Sequence, residues 1–367
     1  MLDGFAPAAP ANVRDVVLAT GPHPLPGEDS VATARAALDL ASRVDAASCL
    51  VLLLSGGASA IMAMPADGLT LAEKIAVNQA MLARGVPIAE MNAVRKHLSA
   101  VKGGWLAVRA RACCTLAISD VIGAAEDDPS VIGSGPGVAD RSTFADAVRA
   151  LRAHGLWDEV PAAVRARLSK GERGEVSETP KPGEPRMAGA SAFVIGSRRD
   201  AMEGARAVAE TLGYRAVVID EPTLGEARRA GPALVARALA WGREDAGMRP
   251  TCVISSGETT VHVRGSGRGG RNQELALAAV SALAESPWPV VLVSVGTDGV
   301  DGPTDAAGAI ATADSLARAA ALGAPSVAAA LDANDSHSYF DRLGDLVRTG
   351  PTGTNVGDLQ IVCWGQI

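Results

Sequence analysis

Five polar, glycine-bearing segments of the 367-residue chain collect the residue types that phosphate and metal chemistry needs, and each adjoins a predicted strand. Open α/β sheets place their ligands at such strand ends. Ser55-Gly56-Gly57-Ala58-Ser59 follows an apolar run and can point backbone N–H groups at a phosphate or carboxylate; a tight strand-to-helix turn explains it equally well. From Asn92 to Gly104, Arg95, Lys96, His97 and Lys102 crowd into one short segment of an acidic protein, which suits an anionic substrate or a solvated helix face. In Ser119-Asp120-Val121-Ile122-Gly123, followed by the glycines Gly133, Gly135 and Gly137 around Ser134, Asp120 at a strand end could hold Mg²⁺ through water or simply cap a loop.

The fourth segment runs from Gly257-Glu258-Thr259-Thr260 to a loop holding Arg268 and Arg271 just before a predicted helix at Asn272, an arrangement that favours an oligophosphate. Its Gly265, Gly267 and Gly270 spell G-x-G-x-x-G. A dinucleotide fold also wants an acid about 20 residues on, at the end of the next strand. Glu285 precedes that strand and Asp298 comes too late. The fifth segment places Asp298, Asp301 and Asp305 after a buried strand, as a hard-cation site, a base or a set of Asx turns; EF-hand spacing is not matched. Thr352, Thr354 and Asn355 add donors for an anion.

Stepping from residues to elements, short apolar runs alternate with helical patterns: 49–54 then 70–84, 115–118, 192–195 then 200–212, and 216–219 then 225–241. That alternation predicts an α/β fold with a parallel sheet. Thr70 with Glu73 and Thr223 with Glu226 fit capping boxes, and Pro87 opens a helix. Along that helix Met91, Val94, Leu98 and Val101 form an apolar stripe, while Asn92, Arg95, Lys96 and Ser99 form a basic polar face. Residues 171–185 read as an exposed connection. After Gly247 the texture changes to paired β runs (252–255, 259–263), a helix at 272–284 and a strand at 290–295, so the expected domains are 1–246 and 247–367.

Composition limits the partners. The net charge of −7 gives no basic footprint for nucleic acid or anionic membranes. The apolar run 49–54 is far short of the roughly 20 residues of a membrane helix, and residues 1–14 lack a signal-peptide pattern, so a cytoplasmic protein is expected. Cys49, Cys113, Cys114, Cys252 and Cys363 show no CxxC pair and read as reduced residues, with Cys49, Cys252 and Cys363 in apolar strand-like runs. P-loop, nucleophile-elbow and zincin motifs are absent, and the five histidines have no metal spacing.

With these residues in view the sequence resembles the class II glycerate kinases, the MOFRL-domain family, whose members have also been labelled hydroxypyruvate reductases. The likeness runs from His23-Pro24-Leu25-Pro26 through SGGASA, the stretch from Ala89 to Ala107, SDV, GETTV, GRGGRNQELALA, GTDGVDGPTDAAGA and TGPTGTNVGDL. It implies a Rossmann-like layered N-terminal domain, a smaller α/β MOFRL domain and an active site in the cleft between them. The implied reaction is ATP-dependent phosphorylation of D-glycerate to 2-phosphoglycerate, with ATP and Mg²⁺ as cofactors and a homo-oligomer among the options.

On the residues themselves, the resemblance gives Arg271 a role at the transferring phosphate and sets Arg95, Lys96 and Lys102 around anionic groups. Arg271, Lys96 and Asp298 are the catalytic candidates. Ser55, Gly56, Gly57, Ser59, Asn92, Arg95, Lys102, Glu258, Arg268, Asn272, Thr352, Thr354 and Asn355 are expected to bind substrate or phosphate, and Asp120, Asp298 and Asp301 the metal. Three departures stand out. Family members usually carry a further N-terminal stretch with a GKA lysine, whereas the first lysine here is Lys74; residues 124–126 intervene before Asp127-Asp128-Pro129; and Gly137 stands where Thr is usual. An NAD(P)H-dependent hydroxypyruvate reductase and a catalytically impaired ligand-binding homologue are the alternatives.

Overall fold

The computed structural model of the chain describes residues 19, 21–22, 25–123, 125–126, 128–243 and 249–365. His23, Pro24 and Asp127, named above, lie outside the described residues, as do residues 1–14 and the expected boundary at 247. The chain divides into two units, one of Met1–Ser119 with Asp127–Ile195 and one of Asp120–Glu126 with Gly196–Ile367. Among the described residues no helix is long and apolar enough to cross a membrane.

The first unit runs α1 (Glu28–Ala41), β1 (Leu50–Leu54), α2 (Ala58–Ile61), α3 (Leu71–Ala83), α4 (Ile88–His97), α5 (Trp105–Ala110), β2 (Cys113–Ile118), α6 (Phe144–Ala153), α7 (Ala162–Glu172) and β3 (Ala190–Gly196). Its three strands lie in the order β1-β2-β3, with β1 and β2 parallel as the alternation predicts. The Thr70 hydroxyl accepts from the Glu73 amide at 3.2 Å while the Glu73 carboxylate accepts from the Thr70 amide at 2.8 Å, so the expected capping box forms. Apolar faces of α3, α4, α6 and α7 close over Val77, Met81, Met91, Val94, Leu98 and Leu151. On the sheet, Val51, Leu53, Phe193 and Ile195 remain exposed.

The second unit contains α8 (Arg198–Thr211), β4 (Arg215–Glu226), α9 (Ala227–Arg243), β5 (Thr251–Thr260), α10 (Arg271–Ala284), β6 (Val290–Gly296), β7 (Gly308–Thr312), α11 (Ser315–Ala321), α12 (Val327–Asp332), α13 (Ser336–Leu343), β8 (Leu346–Val347) and β9 (Asp358–Trp364). Six strands form a mixed sheet in the order β4-β5-β9-β6-β7-β8, with β4 and β5 parallel and the other pairs antiparallel. β4 is laddered to β5 over 215–219 and again, after a register shift, over 223–226, which draws residues 196–243 into this unit although the change of texture falls near 247.

Two local expectations fail for identifiable reasons. Thr223 is not a helix cap: strand pairing carries β4 through Glu226, and the Thr223 hydroxyl meets the Ser255 hydroxyl at 2.6 Å. The polar face of α4 is not solvated, because Asn92, Lys96 and Ser99 are buried by other parts of the first unit. The connection after α7 is mostly exposed, as expected, and is pinned at one point, where Glu178 accepts from the His97 ring at 2.7 Å and Thr179 donates to Asp140 at 3.0 Å.

Candidate active-site clusters

In the first unit the turn leaving β1 sets Gly57 at φ +80°, a left-handed conformation that glycine adopts at little cost, and so presents Ser59 at the start of α2. Ser59 is the hub of a polar chain. Its hydroxyl sits 3.2 Å from that of Ser134, which donates to the Asn92 side-chain oxygen at 2.9 Å. The Lys102 ammonium donates to the Ser59 hydroxyl and, at 2.6 Å, to its carbonyl. Gly133, Ser134 and Gly135 take φ values of +58°, +62° and +60°, three successive left-handed residues, one of which bears a side chain. Such strain persists only where neighbours enforce it, and the Gly103 and Gly104 amides bonded to the Ser134 and Gly135 carbonyls supply that restraint. The Asn92 side-chain nitrogen is buried with no partner among the described residues.

Around this chain lies an excess of positive charge. Lys74 and Lys102 are each 2% exposed, and Arg95 is half-buried; among the described residues none of the three has a carboxylate partner. Lys74 donates to the Leu98 carbonyl at 3.0 Å and Arg95 to the Asn78 side-chain oxygen at 3.0 Å, so neutral oxygens alone face these charges. Burial, followed by repulsion from Arg95 and Arg167, brings Lys74 down to about 7. Burial and then Lys74 and Arg95 hold Lys102 well below the usual lysine range. A desolvated set of cations with no counter-ion is an arrangement that an anion would relieve.

Lys96 is elsewhere. It forms a buried 3.1 Å ion pair with Asp140, whose carboxylate also accepts from Ser142 and Thr179, so it is neutralised inside the unit rather than added to the Lys102 group. Ser55 is exposed, and Gly56 serves the turn.

In the second unit Arg271 opens α10 and makes a two-pronged contact with Asp358, Nε to Oδ2 at 2.6 Å and Nη2 to Oδ1 at 2.9 Å, while Nη1 reaches Glu258 at 2.8 Å. Asp358 begins β9 and pairs with Gly257 of β5, so the sheet register places Glu258 and Asp358 beside one guanidinium. Burial raises the Glu258 carboxyl, and Asp358 and Asp120 add to the rise against the opposing pull of Arg271. Asp120 therefore stands near Glu258. A cavity of about 830 Å³ is bordered by Glu258, Arg271, Asp298 and Asp301.

Asp301 is a cap rather than a free ligand. Its two oxygens accept from the Asn272 and Gln273 amides at 3.0 and 2.8 Å, and burial nevertheless raises its pKa to about 6. Asp298 uses one oxygen on the Val300 amide at 3.1 Å. Among the described residues no three His, Cys, Asp or Glu side chains gather at metal-binding spacing, so Asp120, Asp298 and Asp301 do not form the three-acid set that the sequence invites. Asn272 is buried and bonded to Ser294 and Asp301, a support beneath the site.

The glycine loop also corrects an expectation. A Cβ on Gly265 would meet the Ala333 carbonyl at 2.2 Å, and one on Gly270 would meet the Asp301 carboxyl at 2.3 Å. The amides of Arg264 and Gly265 are bonded to Asn334, that of Gly267 to Ala333 and that of Arg268 to Asp335. These glycines let the loop lie against its own chain, and most of its amides are already occupied. The Arg268 side chain is exposed. Thr352 donates to the Thr297 carbonyl at 2.6 Å, and the Thr352 amide bonds the Asp298 carbonyl; Asn355 accepts from Gly357, and Thr354 from its amide reaches Thr352. This segment holds the turn that presents Asp298.

Lys74 escapes a reading based on motifs, and Asp358 lies in a quoted stretch without being singled out, yet both leave signals. Lys74 shares an i, i+3, i+7 stripe with the buried Val77 and Met81, and Asp358 is in phase with the inward-facing Gln360, Val362 and Trp364 of β9. A charge in phase with an apolar face is the signal.

Residues 6–169 match a family described as a domain of unknown function, DUF4147, and residues 251–358 match the MOFRL family. The second match lies wholly within the second unit. The chain is 39% identical to a D-glycerate 2-kinase of Thermotoga maritima, covering 92% of this chain and 78% of the relative. It is 40% identical to an Agrobacterium vitis protein named provisionally as a hydroxypyruvate reductase, over 98% of this chain and 80% of the relative. A solved glycerate kinase structure from Thermotoga maritima superposes with a TM-score of 0.83 at 37% identity, over 94% of this chain and 80% of that one. With relatives this similar over most of their own length, the chain belongs to the glycerate kinase family.

Proposed function

We propose that the protein transfers the terminal phosphoryl group of ATP to the 2-hydroxyl of D-glycerate, giving 2-phosphoglycerate. The observation that carries this reading is the buried group of Lys74, Arg95 and Lys102, which faces no carboxylate among the described residues and suits a carboxylate or phosphate ligand. Phosphoryl transfer asks for positioning and charge neutralisation more than for covalent help from the protein. Lys102, held by Ser59, and Arg95 fix an anionic group of a substrate. Arg271, already oriented by Asp358, offers its guanidinium to the transferring phosphate in exchange for the contact with Glu258.

The acids of the second unit fit a nucleotide-bound Mg²⁺. Such an ion takes one or two carboxylates and completes its shell with phosphate oxygens and water. Asp298, with one oxygen uncommitted to the backbone, and Glu258, raised by burial and then by its acidic neighbours, would hold it, whereas Asp301 is bound to α10. The ion would offset phosphate charge. ADP release from Mg-ATP that depends on D-glycerate, with 2-phosphoglycerate as product, is the expected result. NADH oxidation with hydroxypyruvate and no ADP release would replace this reading with the reductase.

A further inference from the structure

The second unit holds two thiols that phosphoryl transfer leaves unused. Cys252 of β5 and Cys363 of β9 are direct cross-strand partners. Opposed residues in antiparallel strands hold their Cα atoms about 4.5–5.5 Å apart, within the span of a disulfide. Both cysteines are reduced in the structure. They border an apolar cavity of about 390 Å³ whose other wall is α8, including Ala205, Val208 and Leu212. Val208 and Leu212 are exposed and Cys363 is half-buried, so the cavity leads from solvent to the sulfurs.

We propose that Cys252 and Cys363 form a peroxide-reactive dithiol that closes to an intrachain disulfide. The Cys363 thiolate attacks a hydroperoxide ROOH, the O–O bond breaks, and Cys363 becomes a sulfenic acid as ROH leaves after taking up a proton. The Cys252 sulfur then attacks the Cys363 sulfur; an S–S bond forms, the S–O bond breaks, and water leaves with the Cys252 proton. Two electrons pass from the thiol pair to the peroxide. Exposure divides the roles, because Cys363 is half-buried and open to the cavity while Cys252 is buried behind it. The pairing of the two thiols and then burial raise Cys252, and the same pairing lowers Cys363. The resulting staple would join the two strands that carry Glu258 and Asp358.

The test is peptide mapping of the whole chain after limited hydrogen peroxide and alkylation, with Cys49, Cys113 and Cys114 as internal competitors. A dithiothreitol-sensitive peptide pair joining Cys252 to Cys363 should be the first oxidised product. In Cys252→Ser a dimedone adduct should accumulate on Cys363, and Cys363→Ser should lose it. The proposal is overturned if both thiols of the wild-type chain remain alkylatable while the others oxidise, or if dimedone marks Cys252 instead. The mapping of the wild-type chain needs no variant to fold, and neither arm depends on the kinase reading.

Discussion

The cation group of the first unit and the arginine fork of the second are both expected to meet anions, but they are prepared in opposite ways. Lys74, Arg95 and Lys102 are held by neutral oxygens and repel one another, whereas Arg271 rests between two carboxylates. The first cluster is under electrostatic stress until a ligand arrives. The second is satisfied alone and must exchange partners to act. Removing a positive charge should therefore have opposite effects on stability at the two places while harming catalysis at both.

Arg271→Ala gives the largest expected change. It leaves the buried Asp358 without its partner, so stability should fall by about 3–5 kcal/mol in denaturant melts, and kcat by about 10³-fold. Lys102→Met should weaken D-glycerate or nucleotide binding by about 10- to 100-fold in KM, the worth of a charged hydrogen bond, yet raise the melting temperature. If both variants lose stability alike, the contrast between the clusters is wrong.

The smallest effect is a slope. Lys74 sits at about 7 in the folded chain against its usual 10.5, so between those values the unfolded chain holds more protons and stability rises with pH. The part of that rise owed to Lys74 should approach about 1.4 kcal/mol per pH unit at its steepest and be lost in Lys74→Met, leaving the smaller slope that the depressed Lys102 supplies, as denaturant midpoints at stepped pH will show. Inorganic phosphate bound beside Lys74 should flatten the same slope by returning the proton.

What could be read in the sequence follows from how local each signal is. The capping box at Thr70 and the strand–helix alternation depend on neighbours within a few residues, and they hold. The acids of 298–305 and the arginines of 268–271 identify the right region, but residue types do not reveal which oxygens the backbone has claimed. Asp301 is taken by α10, Lys96 by Asp140 from 44 residues away, and the glycine loop by residues 333–336. The domain division is hidden because β4 owes its place to pairing with β5, a contact that no local pattern announces. Lys74 and Asp358 were legible only to a reader asking why a charge sits in an apolar phase.

Asp301 has a consequence for selectivity. With its carboxylate seated on the first amides of α10, the helix carries a captive anion of its own, and the positive end of its dipole is already cancelled while Asp301 is ionised. An incoming phosphate gains little from the helix and must be recognised by the guanidinium fork. Discrimination then rests on the planar, two-pronged geometry of a single arginine, a directional filter, rather than on a diffuse field that would welcome any anion small enough to approach.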